Sequence, residues 1–186
     1  MSKLIIFTGP SGVGKATIEE NLFKIKELKL KFSVSATTRK PRDYEKNGEH
    51  YHFISSEEFN EKINNNDFLE WNEHFSNRYG TLKEEVDRIV KEGDNPFLEV
   101  DIEGAKSVVN NYDGDFFSIF ILPPSIQELE KRIRIRNTET EDQIQKRLER
   151  YKIELAMKDN FTYVVVNDNI DKTVKKIKEI IQKEVN

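Results

Sequence analysis

The 186-residue chain contains no cysteine, which excludes disulfides, a thiol nucleophile and a thiolate metal site. Its histidines, at positions 50, 52 and 74, lack the spacing of a metal-binding pair such as HExxH, and no Ser-His-Asp arrangement is readable. No apolar run approaches the length of a membrane span, and the first apolar segment begins too close to Met1 to leave room for a signal peptide. We therefore expect a cytoplasmic protein with no membrane partner.

The chain also lacks a strong excess of charge of either sign. Its 34 acidic and 30 basic residues leave a formal net charge of −4, so no general attraction to nucleic acid is expected and basic residues must act locally. Hydrophobic residues make up 36% and charged residues 34% of the chain, which is enough for one core beneath a well-solvated surface. The length predicts one domain with small inserted subdomains.

The most informative stretch present is the segment GPSGVGKAT over residues 9–17. An apolar run, residues 4–7, precedes it with strand character, and Ile18, Leu22 and Ile25 follow it at helical spacing. Strand, glycine-rich turn and helix in this order are typical of a phosphate-binding loop, in which backbone N–H groups and the helix dipole meet at one point. A tight turn that merely holds glycines is the less favoured alternative. A GxGxxG dinucleotide motif is excluded, because Thr17 stands where the third glycine would be.

The rest of the chain alternates between strand and helix patterns. Strands are predicted over residues 31–36, 51–54, 68–72, 96–101, 116–122 and 163–167, helices over 57–64, 82–91, 102–110, 126–136, 140–158 and 170–183, and a turn over 77–81. This alternation predicts an α/β fold with a parallel sheet covered by helices on both faces. Ligands bind at the carboxyl ends of such strands, which should bring together the loop after Phe7, the carboxylates Glu99 and Asp101, and Asn167.

Two pairs of charged residues are candidates for binding phosphate and metal. Alternation along the strand predicted over residues 96–101 would place Glu99 and Asp101 on one face, where magnesium on ATP is a suitable partner. Arg39 and Arg42 lie three residues apart in a loop that contains a proline, and both guanidinium groups can bind one phosphate. The alternatives are a surface pair at a strand end for the carboxylates and a solvated basic loop for the arginines.

A basic segment and one carboxylate complete the candidates. Phosphoryl transfer spreads negative charge that arginines on a mobile segment stabilise, and we expect two or three cations of the segment to reach a nucleotide, while acidic neighbours pair with the others. The segment contains Lys131, Arg132, Arg134, Arg136, Lys146, Arg147 and Arg150. Glu70, beside Trp71, could read the N–H edge of guanine or could simply end a strand.

Taken together, these motifs resemble the guanylate kinase family over essentially the whole chain. Each motif beyond the phosphate loop is weak alone, but seven occur in order at family-like spacing. They are GPSGVGK (9–15), SVSATTRKPR (33–42), GEHYHF (48–53), FLEW (68–71), YGT (79–81), LEVDIEGA (98–105) and RNTE (136–139).

The resemblance implies a P-loop NTPase core in which a parallel sheet is flanked by helices, with two attached parts. The core would comprise residues 1–32, 83–125 and 158–186, a mixed α/β GMP-binding insertion residues 33–82, and a helical lid residues 126–157. The implied reaction is ATP + GMP giving ADP + GDP with Mg2+. The implied partners are these small-molecule substrates, with neither nucleic acid nor membrane involved, and the chain would be a monomer or a homodimer.

The same resemblance assigns the site residues. ATP would be bound by Gly9, Pro10, Ser11, Gly12, Val13, Gly14, Lys15, Ala16, Thr17 and Asn167, the last lying where adenine would rest. GMP would be bound by Ser35, Arg39, Arg42, Tyr51, Glu70, Tyr79, Thr81, Glu99 and Asp101. The catalytic cations would be Lys15, Arg39, Arg132, Arg136 and Arg147. Asp101 and Thr17 would hold magnesium through water.

Three residues depart from the family pattern. Ala16 stands where Ser is common after the loop lysine, Asn137 replaces the Gly expected after the lid arginine, and Arg78 stands where Tyr is common. Two other functions remain as alternatives: a kinase for AMP, UMP or dTMP, and a catalytically silent module that binds a partner protein. Glu70, with Ser35 and Thr81, favours guanine over the other bases, and a complete set of charged site residues argues against the silent module.

Overall fold

The structure, a computed structural model, describes residues 1–74, 76–135 and 140–185. Within these ranges the strands are β1 (Leu4–Thr8), β2 (Leu30–Phe32), β3 (Ala36–Thr37), β4 (His52–Phe53), β5 (Phe68–His74), β6 (Asn77–Leu82), β7 (Asn95–Glu99), β8 (Phe116–Leu122) and β9 (Tyr163–Val166). The helices are α1 (Lys15–Phe23), α2 (Ser56–Asn64), α3 (Lys83–Lys91), α4 (Ile102–Asn111), α5 (Ile126–Ile135), α6 (Glu141–Ala156) and α7 (Ile170–Val185). Short 3₁₀ helices occupy Lys26–Leu28 and Lys158–Asn160.

A five-stranded sheet in the order β2-β7-β1-β8-β9 forms the core, and all its neighbouring strands are parallel. Every residue of β1 is buried, as a strand covered on both faces should be. One apolar cluster packs α1 and α7 against the sheet, and a second packs α4 against it. The predicted parallel sheet is confirmed, and its middle strand is β1 with β8 beside it.

A second sheet of four strands, in the order β4-β3-β6-β5, corrects two predictions. The single strand predicted over residues 31–36 is wrong: β2 belongs to the core sheet and β3 to the second sheet, and residues 33–35 cross between them. The turn predicted over residues 77–81 is also wrong, because these residues form β6, antiparallel to β5. Gly80 lies within this strand, and a Cβ at this position would come within 2.7 Å of the Phe68 ring. The glycine is therefore needed for close packing against Phe68 and not for a turn.

The carboxyl end of β7 differs from the predicted strand. The strand ends at Glu99, and Asp101 is instead the N-cap of α4, where its Oδ1 accepts a hydrogen bond of 2.9 Å from the N–H of Gly104. The prediction that alternation along one strand places both carboxylates on a common face is therefore wrong. A strand end followed directly by a helix cap nevertheless leaves the two side chains at the same edge of the sheet.

The helices of the described ranges are all too short or too polar to cross a lipid bilayer.

Candidate active site

The segment after β1 forms a tight loop that leads directly into α1. Gly12 and Gly14 have φ values of 89° and 100°, in the left-handed region that favours glycine, and Gly14 is the N-cap of the helix. Lys15, the first residue of α1, turns its side chain back over the loop. Its Nζ donates to the carbonyl of Gly9 at 2.7 Å and lies 3.4 Å from Oε1 of Glu99.

The loop is held from behind by the end of β9 and by α5. Asn167, which is 6% exposed, donates from Nδ2 to the carbonyl of Val13 at 2.8 Å. Arg132 donates from Nη1 to the carbonyl of Asn167 at 3.0 Å, while its Nε pairs with Glu128 at 3.0 Å. The side-chain nitrogen of Asn167 therefore stabilises the conformation of the phosphate loop.

A cavity of about 300 Å³ opens in front of the loop. It lies between the phosphate loop, the end of β7 and helix α6, which contributes Arg147, Arg150 and Glu154. Arg150 bridges the cavity, because its Nη2 lies 3.2 Å from Oδ2 of Asp101 while its Nε donates to Glu154 at 2.8 Å. Three cations, Lys15, Arg147 and Arg150, line the space beside the carboxylates of Glu99, Asp101 and Glu154. An anionic occupant could take the place of these carboxylates on the cations.

A second cavity of about 300 Å³ lies between the two sheets. Its polar centre is Glu70, whose Oε1 accepts a hydrogen bond of 2.7 Å from the hydroxyl of Thr81. Burial raises the pKa of Glu70, the hydrogen bonds from Thr81 oppose that rise, and the negative charge of Asp101 adds to it. Ser35 lines the same cavity. A buried carboxylate with one oxygen already bonded is suited to accept from a ligand that presents N–H donors.

The loop after β3 holds its arginines through a residue that the sequence motifs did not single out. Glu45 forms a bidentate pair with Arg39, at 2.8 and 2.9 Å, and also accepts from the backbone N–H of Arg42 at 2.7 Å. These bonds, first of all the one with Arg39, lower the pKa of Glu45 to about 2. The Arg39 guanidinium also lies over the ring of Tyr51, 5.5 Å from its centroid, and Tyr51 contacts Tyr79 edge to face.

The two cavities meet at the carboxyl end of β7. Glu99 and Asp101 line both the cavity in front of the phosphate loop and the cavity that contains Glu70. A ligand in either cavity would therefore approach the same two carboxylates, and two anionic ligands could be brought end to end.

Some of the residues predicted from the sequence lie outside these cavities. Ala16 and Thr17 are exposed on the first turn of α1, and neither lines the cavity in front of Lys15. Arg136 and Asn137 lie outside the described residues. Arg78 faces α2, where it donates to Asn60 and to the carbonyl of Ser56 and lies over the Phe59 ring.

The structure adds residues that sequence reasoning missed. They are Glu45, Glu154, Asn72, which lines the cavity with Glu70, and Glu19, which is buried on α1. Arg150 was named in the basic segment, and it lines the cavity together with Arg147. Glu19 follows the phosphate loop at a helical position and carries no signal of its own.

The carboxylates of Glu99 and Asp101, where the two cavities meet, could bind a magnesium ion only together with ligands from water or a substrate. No cluster of three or more carboxylate or histidine side chains that could hold a metal occurs among the residues that the structure describes. Carboxylates such as Asp101 are the ligands that magnesium prefers, and magnesium usually keeps several waters and binds substrate phosphates. The donor set therefore fits a magnesium ion that arrives with a nucleotide.

Comparison with known proteins decides the family. Residues 1–184 match the family model described as guanylate kinase. The chain belongs to the guanylate kinase family. This confirms the α/β fold class and the kinase class predicted from the motifs, since guanylate kinases phosphorylate GMP using ATP.

Individual guanylate kinases align with almost the whole chain. The chain is 50% identical over 190 residues to the guanylate kinase of Mesomycoplasma hyopneumoniae strain 7448, covering 100% of this chain and 96% of that protein. It is 46% identical over 188 residues to that of Mycoplasmopsis synoviae strain 53, covering 98% and 95%. The crystal structure of guanylate kinase from Anaplasma phagocytophilum superposes with a TM-score of 0.70 at 29% identity, covering 98% of this chain and 86% of the other.

Proposed function

We propose that this chain transfers the γ-phosphoryl group of ATP to GMP, with ATP in front of the phosphate loop and GMP in the cavity around Glu70. The observation that carries the proposal is the junction of the two cavities at Glu99 and Asp101. Two nucleotides that enter from opposite sides would meet there with their phosphates in line. Holding both reactants in this geometry supplies much of the rate enhancement of a phosphoryl transfer.

On the ATP side, the backbone amides of residues 11–17 and Lys15 bind the phosphates. The pairs that Lys15 makes with Gly9 and Glu99 hold its ammonium group over the loop, where a β- or γ-phosphate would replace them. Arg132 and Arg147, with Arg136, supply positive charge to the group in transfer. Asn167 acts on ATP by fixing the loop beside the adenine position.

On the GMP side, Glu70 accepts from the N1–H and the 2-amino group of guanine. Adenine would present a lone pair to the same carboxylate, so binding of AMP should be weaker by orders of magnitude. Ser35 contacts the base from the same cavity, and Thr81 contacts it beside the Glu70 carboxylate to which its hydroxyl donates. Arg39 and Arg42 bind the GMP phosphate together with the hydroxyls of Tyr51 and Tyr79.

No protein nucleophile is needed. A GMP phosphate oxygen attacks the γ-phosphorus, the bond to the ADP oxygen breaks, and ADP leaves with the electron pair. Mg2+ bound to the ATP phosphates would neutralise part of their charge, and Asp101 with Thr17 would hold its water shell. We further propose the division into core (1–32, 83–125, 158–186), GMP-binding insertion (33–82) and lid (126–157), and action in the cytoplasm as a monomer or homodimer.

The test measures ADP formation from ATP and Mg2+ with GMP, AMP, CMP, UMP or dTMP as acceptor. The proposal predicts turnover with GMP far above the other four. Lys15→Ala should abolish it, whereas Lys24→Ala, at the exposed lysine that follows the last residue of the same helix, should leave it unchanged. Preference for another acceptor would contradict the base assignment, and GMP binding without turnover would contradict the kinase assignment.

A further inference from the structure

The segment LEVDIEGA (98–105) supplies Glu99 and Asp101 to the site, but the proposed function gives no role to its glycine, Gly104. Gly104 is buried and is the third residue of α4. Its φ is not positive, so its backbone conformation is open to any residue. Glycine inside a helix is also less favourable than alanine. The helix itself therefore gives no reason for a glycine at this position.

The space beside Gly104 belongs to the GMP side of the site. A Cβ on Gly104 would lie 3.3 Å from Oδ1 of Asp101 and 3.6 Å from Oε2 of Glu70. Its nearest neighbour would be the Cβ of Val100, at 3.2 Å. All three of these residues line the cavity around Glu70. A methyl group added to Gly104 would therefore meet the residues of that cavity first.

The carboxylates of Glu70 and Asp101 are each held through one oxygen. Oε1 of Glu70 accepts from the Thr81 hydroxyl at 2.7 Å, and Oδ1 of Asp101 accepts from the N–H of Gly104 at 2.9 Å. Burial raises the pKa of Glu70, and the nearby charge of Asp101 adds to that rise. Neighbouring carboxylates repel each other, and N–H donors of a ligand relieve this repulsion. Guanine brings two such donors, N1–H and the 2-amino group.

We infer that Gly104 is a positioning residue for Glu70, because its lack of a side chain leaves open the space in which Oε2 accepts from the base beside Asp101. The inference rests on the proposed function and adds a backbone position to the side chains that bind GMP. An alanine methyl would lie against both carboxylates and could donate no hydrogen bond to either. Its contact with Asp101 is also short enough to require a shift of a few tenths of an ångström.

The test compares the dissociation constants of GMP and ATP, each measured alone, for the wild-type protein and for Gly104→Ala. ATP is measured without Mg2+, because Asp101 is also assigned to the water shell of the metal. We expect the Kd for GMP to rise about tenfold, as for one lost hydrogen bond to a charged group, and the Kd for ATP to stay the same. An unchanged Kd for GMP, or equal weakening of both nucleotides, would overturn the inference.

A matched control and a stability measurement separate positioning from a requirement of the fold. Asn110→Ala also introduces alanine into α4, but at an exposed position, and should change neither Kd. Alanine favours a helix, so the urea midpoint of Gly104→Ala should be equal to or higher than that of the wild-type protein. A lower midpoint would show that packing against Val100 requires the glycine, which would overturn the inference.

A second pair of variants tests whether the methyl group acts through Glu70. Glu70→Ala removes the oxygen beside position 104, so adding Gly104→Ala to it should change the Kd for GMP by no more than about twofold. The same tenfold effect in both backgrounds would contradict action through Glu70. Failure of the wild-type protein to bind GMP would instead contradict the proposed function, so the two failures are distinguishable.

Discussion

The side-chain amide of Asn167 donates a hydrogen bond of 2.8 Å to the carbonyl of Val13, 154 positions earlier in the chain. The bond ties the end of β9 to the middle of the phosphate loop. Gly14 accommodates this contact, since a Cβ at that position would lie 2.8 Å from the Asn167 nitrogen. The loop conformation therefore depends on a distant strand as well as on its own glycines.

Asn167→Ala should loosen the phosphate loop. The buried carbonyl of Val13 loses the shorter of its two hydrogen bonds and keeps only the 3.5 Å contact from Arg132, so we expect the free energy of unfolding to fall by about 1 kcal/mol. The KM for ATP should rise about tenfold, because the loop amides are no longer held in one geometry, while the KM for GMP changes little. Steady-state kinetics and urea unfolding check this, with the exposed neighbour Asp168→Ala as control. A larger effect on GMP than on ATP would contradict it.

Glu45→Gln should weaken the binding of GMP and spare that of ATP. Glu45 holds Arg39 through both carboxylate oxygens and the backbone of Arg42 through one of them. Glutamine keeps the shape but loses the charge and one acceptor, so the two arginines are no longer oriented together, and the KM for GMP should rise about tenfold. Asp43→Asn, in the same exposed loop, should have no effect. Equal changes in the KM values of ATP and GMP would show that the ion pair of Glu45 with Arg39 does not act specifically on GMP binding.

Glu70→Gln should relax the choice of base. A glutamine amide can donate to N1 of adenine and accept from its 6-amino group, but it can accept only one of the two donors of guanine. We expect kcat/KM for GMP to fall about a hundredfold or more and the GMP to AMP ratio to fall further. Both substrates are measured at saturating ATP, with Glu73→Gln as control. A retained preference for GMP would mean that another group reads the base.

Glu19 should make the protein less stable as the pH rises from about 4.5 to about 7. Burial, followed by the neighbouring charge of Glu99, raises the pKa of Glu19 from 4.5 to about 7, although Lys15 opposes the rise. Between these two values the folded protein holds a proton that the unfolded chain releases, so the contribution of Glu19 to stability declines as the pH increases from 4.5 to about 7. Glu19→Gln removes the titrating group and with it this decline.

Urea unfolding of both proteins at pH 5 and pH 8 measures the effect. The wild-type protein should lose about 1–3 kcal/mol relative to Glu19→Gln on going to the higher pH. Glu20→Gln is the matched control, because Glu20 is exposed on the same helix and its pKa is lowered by Lys24. Parallel pH dependences of the wild-type and Glu19→Gln proteins would contradict the account of Glu19.

The elements that could be predicted from sequence are those whose signal is local. The phosphate loop combines glycines, a lysine and flanking apolar periodicity within one short stretch. These local signals were sufficient to indicate the family, the α/β class and the parallel core sheet.

The elements that could not be predicted depend on neighbours far away in sequence. Nothing in residues 31–36 shows that the chain leaves one sheet and enters another at Ser33, because apolar alternation does not identify the partner strand. Gly80 is typical of a turn when only its sequence neighbours are considered, and the Phe68 ring packs against it only in the folded chain. Glu45 can be assigned a role only once the fold places its carboxylate against Arg39.

The central claim is that the two cavities are the two halves of one phosphoryl-transfer site, joined at Glu99 and Asp101. The most direct measurement uses an inhibitor in which adenosine and guanosine share a single polyphosphate bridge. If the account is right, one such molecule fills both cavities, so its inhibition is competitive with ATP and also competitive with GMP. Inhibition that is competitive with ATP alone, with GMP still able to bind beside the inhibitor, would contradict it.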